Sequence, residues 1–234
     1  MPVGIRLYAI GDIHGCATLL DRLHGEIARD LESNGAVEGV VIYLGDYIDR
    51  GPDSSGVLEI LTTPFQNAFR RVFLKGNHED MLLKYLTGPD RGSSWCEFGG
   101  FETLMSYRVD IRHVLNYGGH KALAEELAAR LPASHLQFLN ELQSSFSIGD
   151  YFFCHAGVRP GISLDLQKPN DLIWIREEFL ASSVDHGKII VHGHTPVEDV
   201  EVRPNRIGID TGAYATGRLT ALVLEGEERR FLST

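Results

Sequence analysis

Long apolar runs are missing from this chain of 234 residues. None approaches the roughly 18 consecutive apolar positions that a membrane-spanning helix needs, so an integral membrane protein is excluded. The opening stretch, MPVGIRLYAIGD, holds one short apolar run before a turn motif, which leaves no room for a signal peptide. Cysteine is scarce. Cys16, Cys96 and Cys154 cannot all pair with one another, and without a secretory leader they are expected to be reduced, buried thiols of a cytoplasmic protein. Positive charge is scarce too: Lys and Arg number 22 against 32 Asp and Glu, a formal net charge of −10, with no basic run longer than two. Neutralising the phosphates of a nucleic acid calls for a basic face, so no nucleic-acid partner is expected. Internal repeats and low-complexity tracts are also lacking. With 43% hydrophobic and 23% charged residues the composition is that of an ordinary folded protein. One domain over 1–234 is expected, since single cores grow to about 250 residues before chains divide, and a monomer is favoured.

What the chain does have is a series of short apolar runs closed by glycine and a polar residue: LYAIGD (7–12), VVIYLGD (40–46), RVFLKGN (71–77), YFFCHAG (151–157) and IIVHGH (189–194). Runs of four to six apolar or β-branched residues ended by a turn signal predict buried strands. Leu19, Leu20, Leu23, Ile27 and Leu31 fall at helical spacing, with Gly35 as a stop, and Val57, Leu58 and Leu61 mark a second helix after Pro52-Asp53. Strand alternating with helix implies parallel strands joined by right-handed crossovers. Residues from about 80 to 145 read instead as a helical insertion, with helices at 81–86, 101–105, 122–131 and 135–142 broken at Gly88-Pro89, Gly118-Gly119 and Pro132. Strands are expected again at 200–202, 206–210, 219–224 and 229–232. The fold class that follows is α/β, an α/β/β/α sandwich of two mixed sheets flanked by helices.

The residues that close those strands carry the chemistry: Asp12 and His14, Asp46, Asp49 and Arg50, Asn77 and His78, His155, and His192 and His194. Ligands and catalytic groups of open α/β sheets gather beyond the carboxyl ends of the strands, so distant segments deliver carboxylates, an amide and imidazoles to one place. Oxygen and imidazole donors without thiolate suit Mn, Fe or Zn. Buried carboxylates at such a position would be costly without cations.

GDIHG (11–15), GDYIDRG (45–51), GNHE (76–79), HAG (155–157) and GHTP (193–196) resemble the phosphoprotein phosphatase family of dinuclear metallophosphoesterases, in particular the short bacterial and bacteriophage branch typified by the lambda phage protein phosphatase. LIWIREEF (172–179) and IDTGAYATGRLT (209–220) are similar to segments there as well. The resemblance implies the calcineurin-like fold and two divalent ions, Mn first and Fe or Zn next, bridged by Asp46. Asp12 and His14 would complete one ion's ligands, and Asn77, His155 and His194 the other's, with His192 a neighbouring strand residue. It further implies direct attack on phosphorus by a metal-bridging hydroxide. Arg50 and Arg176, with Asn77, would hold the phosphate, and His78, oriented by Asp49, would act as general acid. A salt bridge to Glu177 or Glu178 is the alternative for Arg176.

Three functions compete. The first is a metal-dependent phosphatase acting on phosphoserine or phosphothreonine in proteins, or on small phosphoesters. The second is a symmetrical diadenosine-tetraphosphate hydrolase, whose family branch typically lacks the Asp49-Arg50 pair. The third is a non-catalytic phosphate- or protein-binding module, against which every ligand is present. A nuclease would be expected to carry histidine where Pro196 stands. Arg159 is divided evenly between touching substrate and bridging a loop. Tyr214 is given little weight as a site residue, Glu79 is read as a helix-dipole carboxylate, and Trp95, Phe98, Phe101 and Tyr107 as core aromatics.

Overall fold

The computed structural model describes residues 1–32, 38–64, 69–88 and 93–234. Gly35 and Pro89, two of the expected helix stops, lie outside them. Two five-stranded sheets form the centre. The first has the order β10-β9-β1-β2-β3, built from β1 (Ile5–Ile10), β2 (Glu38–Tyr43), β3 (Phe69–Phe73), β9 (Thr220–Glu225) and β10 (Glu228–Ser233). β1, β2 and β3 run parallel, as the strand–helix alternation requires, and β9 and β10 are antiparallel additions. The second sheet has the order β4-β5-β6-β8-β7, from β4 (Ser145–Ile148), β5 (Tyr151–Cys154), β6 (Ile189–His192), β7 (Glu201–Val202) and β8 (Arg206–Gly208).

Side-chain alternation along the strands separates the layers. Leu7 and Ala9 of β1 and Val40 and Ile42 of β2 face Phe153, Val191 and Ile207 of the second sheet. Tyr8 and Ile10, Val41 and Tyr43 point the other way, onto Leu20, Leu23 and Ile27 of α1 (Ala17–Glu32) and Val57, Leu58 and Leu61 of α2 (Ser54–Thr62). Outside the second sheet, Phe152, Cys154 and Ile190 pack on Leu172, Ile175 and Phe179. This is the expected sandwich of helices, two sheets and helices. No helix among the described residues is long and apolar enough to cross a membrane.

The insertion begins with α3 (Asn77–Thr87), passes through a π-helical turn at Cys96–Gly100 and helices Phe101–Ser106, Ile111–Arg130 and Ala133–Glu141, and returns to sheet at β4. One helical segment starts earlier than expected, at Ile111, and its axis breaks at Gly119, which adopts φ 62° and ψ −158°. That conformation is open only to glycine, so the Gly118-Gly119 signal marks a kink inside the segment instead of a loop before it. β4, an edge strand of four residues, is absent from the sequence reading.

Candidate metal centre

Every expected site residue except Arg176, which lies between two short helices, sits past a strand end. Asp12 and His14 follow β1, Asp46 to Arg50 follow β2, Asn77 and His78 open α3 after β3, and His155 and His194 follow β5 and β6. Asp12, His14, Asp46, Asp49, Asn77, His78, His155 and His194 are all buried. To turn inward there the backbone leaves ordinary conformations: His14, Asp46, Asp49, Arg50 and His194 are five of the six described non-glycine residues with positive φ. Each such residue costs about 1–3 kcal/mol and persists because its surroundings fix it. Glu79 does much of that fixing. Its carboxylate accepts the backbone N–H groups of Asp46 (2.9 Å), Tyr47 (2.8 Å) and Gly76 (2.9 Å), joining the turn after β2 to the start of α3. The helix-dipole reading of Glu79 therefore misses its main role, which the G-x-x-E spacing of a helix start could have suggested.

The imidazoles are held with a lone pair facing the centre. His14 Nδ1 donates to the Ile48 carbonyl at 2.8 Å and His155 Nδ1 to that of Leu44 at 3.0 Å, which leaves both Nε2 atoms as acceptors. His14 Nε2 lies 3.5 Å and His155 Nε2 3.4 Å from Asp46 Oδ2. His155 Nε2 also meets Asn77 Oδ1 at 3.0 Å and His194 Nδ1 at 3.2 Å. Acceptor facing acceptor at these distances is repulsive, and a shared cation turns it into ligation. Two donors at right angles on one ion, each about 2.1 Å from it, would stand about 3.0 Å apart, so the spacing fits. Among the described residues two groups could hold an ion, His14–Asp46–His78 and Asp46–His155–His194, and they share Asp46. Asp12 stands beside them, accepting the His194 N–H at 3.0 Å through Oδ2.

Electrostatics agrees. Burial pushes the Asp12 carboxyl well above its usual range, and the charges of Asp210 and Asp46 add to this. Burial pulls His14 down to about 3 and, with His155 adding to the effect, lowers His194 strongly. Asp46 is held well below the carboxylate range: burial alone would raise it, and the imidazoles around it, His155 and His78 foremost, outweigh that effect. The lowered imidazoles of His14 and His194 beside the raised carboxyl of Asp12 form a donor set short of positive charge, which divalent ions supply. Asp210, hydrogen-bonded to Asp12 and buried, belongs to this set, and its IDTG motif was the only signal for it.

Equally buried, His78 Nδ1 lies 2.7 Å from Asp49 Oδ2. Burial pulls the His78 imidazole down, but Asp46 and Asp49 push it up by more, so it sits above its ordinary value. Arg50 extends over the Tyr214 ring at 5.1 Å, and the same ring meets His14 edge-on at 5.3 Å. Tyr214 thus faces the site, contrary to the little weight the sequence gives it, because the turn after Asp210-Thr-Gly carries it back over β1. Arg176 is exposed, and its charge acts on His194. Among the described ion pairs Arg176 has neither Glu177 nor Glu178 as partner. Glu178 pairs with Arg159, which also grips Asp171 at 2.7 Å, so Arg159 braces a loop. His192 points away, its ring against Phe179 at 5.1 Å, as expected of a strand residue. Trp95 and Thr103, read as packing or not singled out at all, both bond to Asp49.

The comparisons bear on what this arrangement is. The chain is 30% identical over 224 residues to Serine/threonine-protein phosphatase 1 of Salmonella typhimurium, covering 92% of this chain and 89% of that protein. It is 28% identical over 234 residues to an asymmetrical bis(5'-nucleosyl)-tetraphosphatase, PrpE, of Oceanobacillus iheyensis, covering 93% and 88%. Among solved structures, a putative diadenosine tetraphosphatase superposes with TM-score 0.68 at 23% identity over 100% of this chain and 96% of that one. A cold-active protein tyrosine phosphatase does so with TM-score 0.63 at 21% identity over 99% and 81%. These two likenesses concern the fold. The family profile for calcineurin-like phosphoesterases matches residues 5–221, a span that contains every strand-end ligand from Asp12 to His194. The chain belongs to the calcineurin-like phosphoesterase family.

Proposed function

We propose that this protein is a phosphatase for phosphomonoesters, with phosphoserine and phosphothreonine in proteins as its first substrates. The observation that carries the reading is the shared carboxylate of Asp46 between two inward-facing imidazole groups, with a buried His78–Asp49 pair alongside. Asp12, His14 and Asp46 would hold one divalent ion, and Asp46, Asn77, His155 and His194 the second, Mn being the first choice. When bound, such ions acidify water near neutral pH and draw off the charge that builds on phosphoryl oxygens. Arg50 and Arg176 supply planar donors that hold the phosphate and orient its ester bond. His78, its Nδ1–H fixed on Asp49, offers Nε2 as the atom that passes a proton to the departing oxygen. The Salmonella relative's name and the presence of Asp49-Arg50 support the protein substrate. The three free, buried cysteines accord with work in a reducing cytoplasm.

A second reading, hydrolysis of diadenosine polyphosphates, is favoured by the PrpE relative at similar identity, which is named for asymmetrical cleavage where the sequence pointed to the symmetrical kind. One experiment separates them: phosphopeptides, an aryl phosphate and diadenosine tetraphosphate assayed side by side with Mn²⁺ and with chelator. The phosphatase reading expects Mn²⁺-dependent release of phosphate from the peptide and aryl ester, abolished by chelator. A clear preference for the dinucleotide would replace it with the second reading.

A further inference from the structure

Asp49 and Arg50 are consecutive non-glycine residues in the left-handed region, with φ 72° and 66°, and a short piece of the insertion encloses them. The Asp49 carboxylate is fully buried and receives three donors. His78 Nδ1 and Trp95 Nε1 both lie 2.7 Å from Oδ2, and the Thr103 hydroxyl donates to Oδ1 at 2.6 Å. The same hydroxyl accepts the Asp49 backbone N–H at 3.0 Å, so Thr103 grips the residue at both ends. Next along the chain, the Arg50 N–H donates to the Gly99 carbonyl at 3.1 Å. Gly99 adopts φ 109°, and a methyl group there would strike Arg50. Trp95 is itself fully buried, with its ring 4.9 Å from that of Tyr85.

A carboxylate bonded only to His78 could rotate and carry the imidazole with it. Donors arriving on both oxygens from a separate element fix its plane. Trp95 and Thr103 lie 46 and 54 residues from Asp49, so they are not part of the turn that carries it. We infer that Trp95 and Thr103 are positioning residues for proton delivery to the leaving group, acting through Asp49 on the His78 ring. The inference rests on the reading of His78 as general acid.

The test uses leaving groups. p-Nitrophenolate departs from its phosphate ester without a proton, whereas the alkoxide of phosphoserine needs one. Trp95→Phe removes the indole N–H, and Thr103→Val is nearly the same size as the residue it replaces, so that one variant retains packing if the other loses it. In the Mn²⁺-loaded protein each is expected to lower kcat on a phosphoserine peptide by about 10–100-fold. kcat on p-nitrophenyl phosphate should stay within about threefold, with KM and metal content unchanged. Thr103→Ser should restore the peptide rate. In a His78→Asn background, Trp95→Phe should add less than about twofold. Equal losses on both substrates, no loss on either, or a loss of metal would overturn the inference. The two failures are distinguishable. If His78→Asn spares p-nitrophenyl phosphate and the Trp95 and Thr103 variants do not, only the positioning role falls. If His78→Asn itself shows no selectivity, the general acid falls and the inference with it.

Discussion

A single methyl group decides whether the site can form at position 193. Gly193 lies between His192 and His194, and a Cβ there would overlap Asp12 Oδ1, one of the two oxygens that accept the His194 N–H. Gly193→Ala is therefore expected to push Asp12 out of place, reducing bound metal and lowering kcat by about 100-fold, since displacements of about 1 Å at a reacting centre cost that much. Metal analysis and phosphate release measure both. Gly25→Ala is the control: it lies in α1 with nothing within 4 Å of the added methyl, and it should leave both unchanged. Residues of this kind were legible in the sequence because each ligand closes a strand and is followed or preceded by the glycine that lets the chain turn. The supporting residues were not. Trp95 and Thr103 touch Asp49 only after the insertion has folded back, and no local periodicity records a contact across that separation. Glu79 was misread for the same reason, since two of its three N–H partners belong to the turn after β2.

Among the elements, those with strong periodicity were predicted and those defined by their neighbours were not. The three parallel strands of the first sheet and α1 announce themselves by apolar runs and helical spacing. β4 reads SFSI, too short and too mixed in burial to stand out, and it is a strand only through its antiparallel pairing with β5. The helical segment Ile111–Arg130 shows a further limit. Asp110 caps its start by accepting the His113 N–H at 3.0 Å, and the Gly118-Gly119 pair then kinks it. The kink depends on a conformation other residues avoid, so Gly119→Ala should destabilise the protein by about 2 kcal/mol, although nothing lies within 4 Å of the new methyl. For a chain of this size that is a fall in melting temperature of about 4–8 °C. The kcat of the folded protein should be unchanged, because Gly119 bears no ligand and contacts none. An unchanged melting temperature would mean the helix straightens on substitution.

At the scale of the whole molecule, the ligands come from both sheets: Asp12, Asp46 and Asn77 from the ends of β1, β2 and β3, and His155 and His194 from β5 and β6. The sequence revealed this layout because strands that follow one another along the chain, β1 and β2, β2 and β3, β5 and β6, are parallel neighbours in their sheets. The apolar layer between the sheets holds them face to face, while the site at one end gathers carboxylates that burial and mutual repulsion make unfavourable. Function and stability therefore pull in opposite directions at that end, and bound ions reconcile them. Ions at 100 times their dissociation constant stabilise the folded state by about 2.7 kcal/mol each, so chelation should lower the melting temperature by about 5–11 °C per ion. Asp46→Asn should erase most of that difference, since both donor groups share this carboxylate. Asp46 pushes Asp12 and Asp210 upward, but the imidazoles around it hold its own carboxyl well below the usual range, and it accepts the His78 backbone N–H at 3.1 Å. A carboxylate whose pKa is lowered by folding stabilises the fold at neutral pH, so the metal-free Asp46→Asn protein is expected to melt below the metal-free parent while hydrolysing nothing. Scanning calorimetry of the two proteins with Mn²⁺ and with chelator reads all four states, and a metal-free variant as stable as its parent would show that repulsion from Asp12 and Asp210 cancels what the imidazoles contribute.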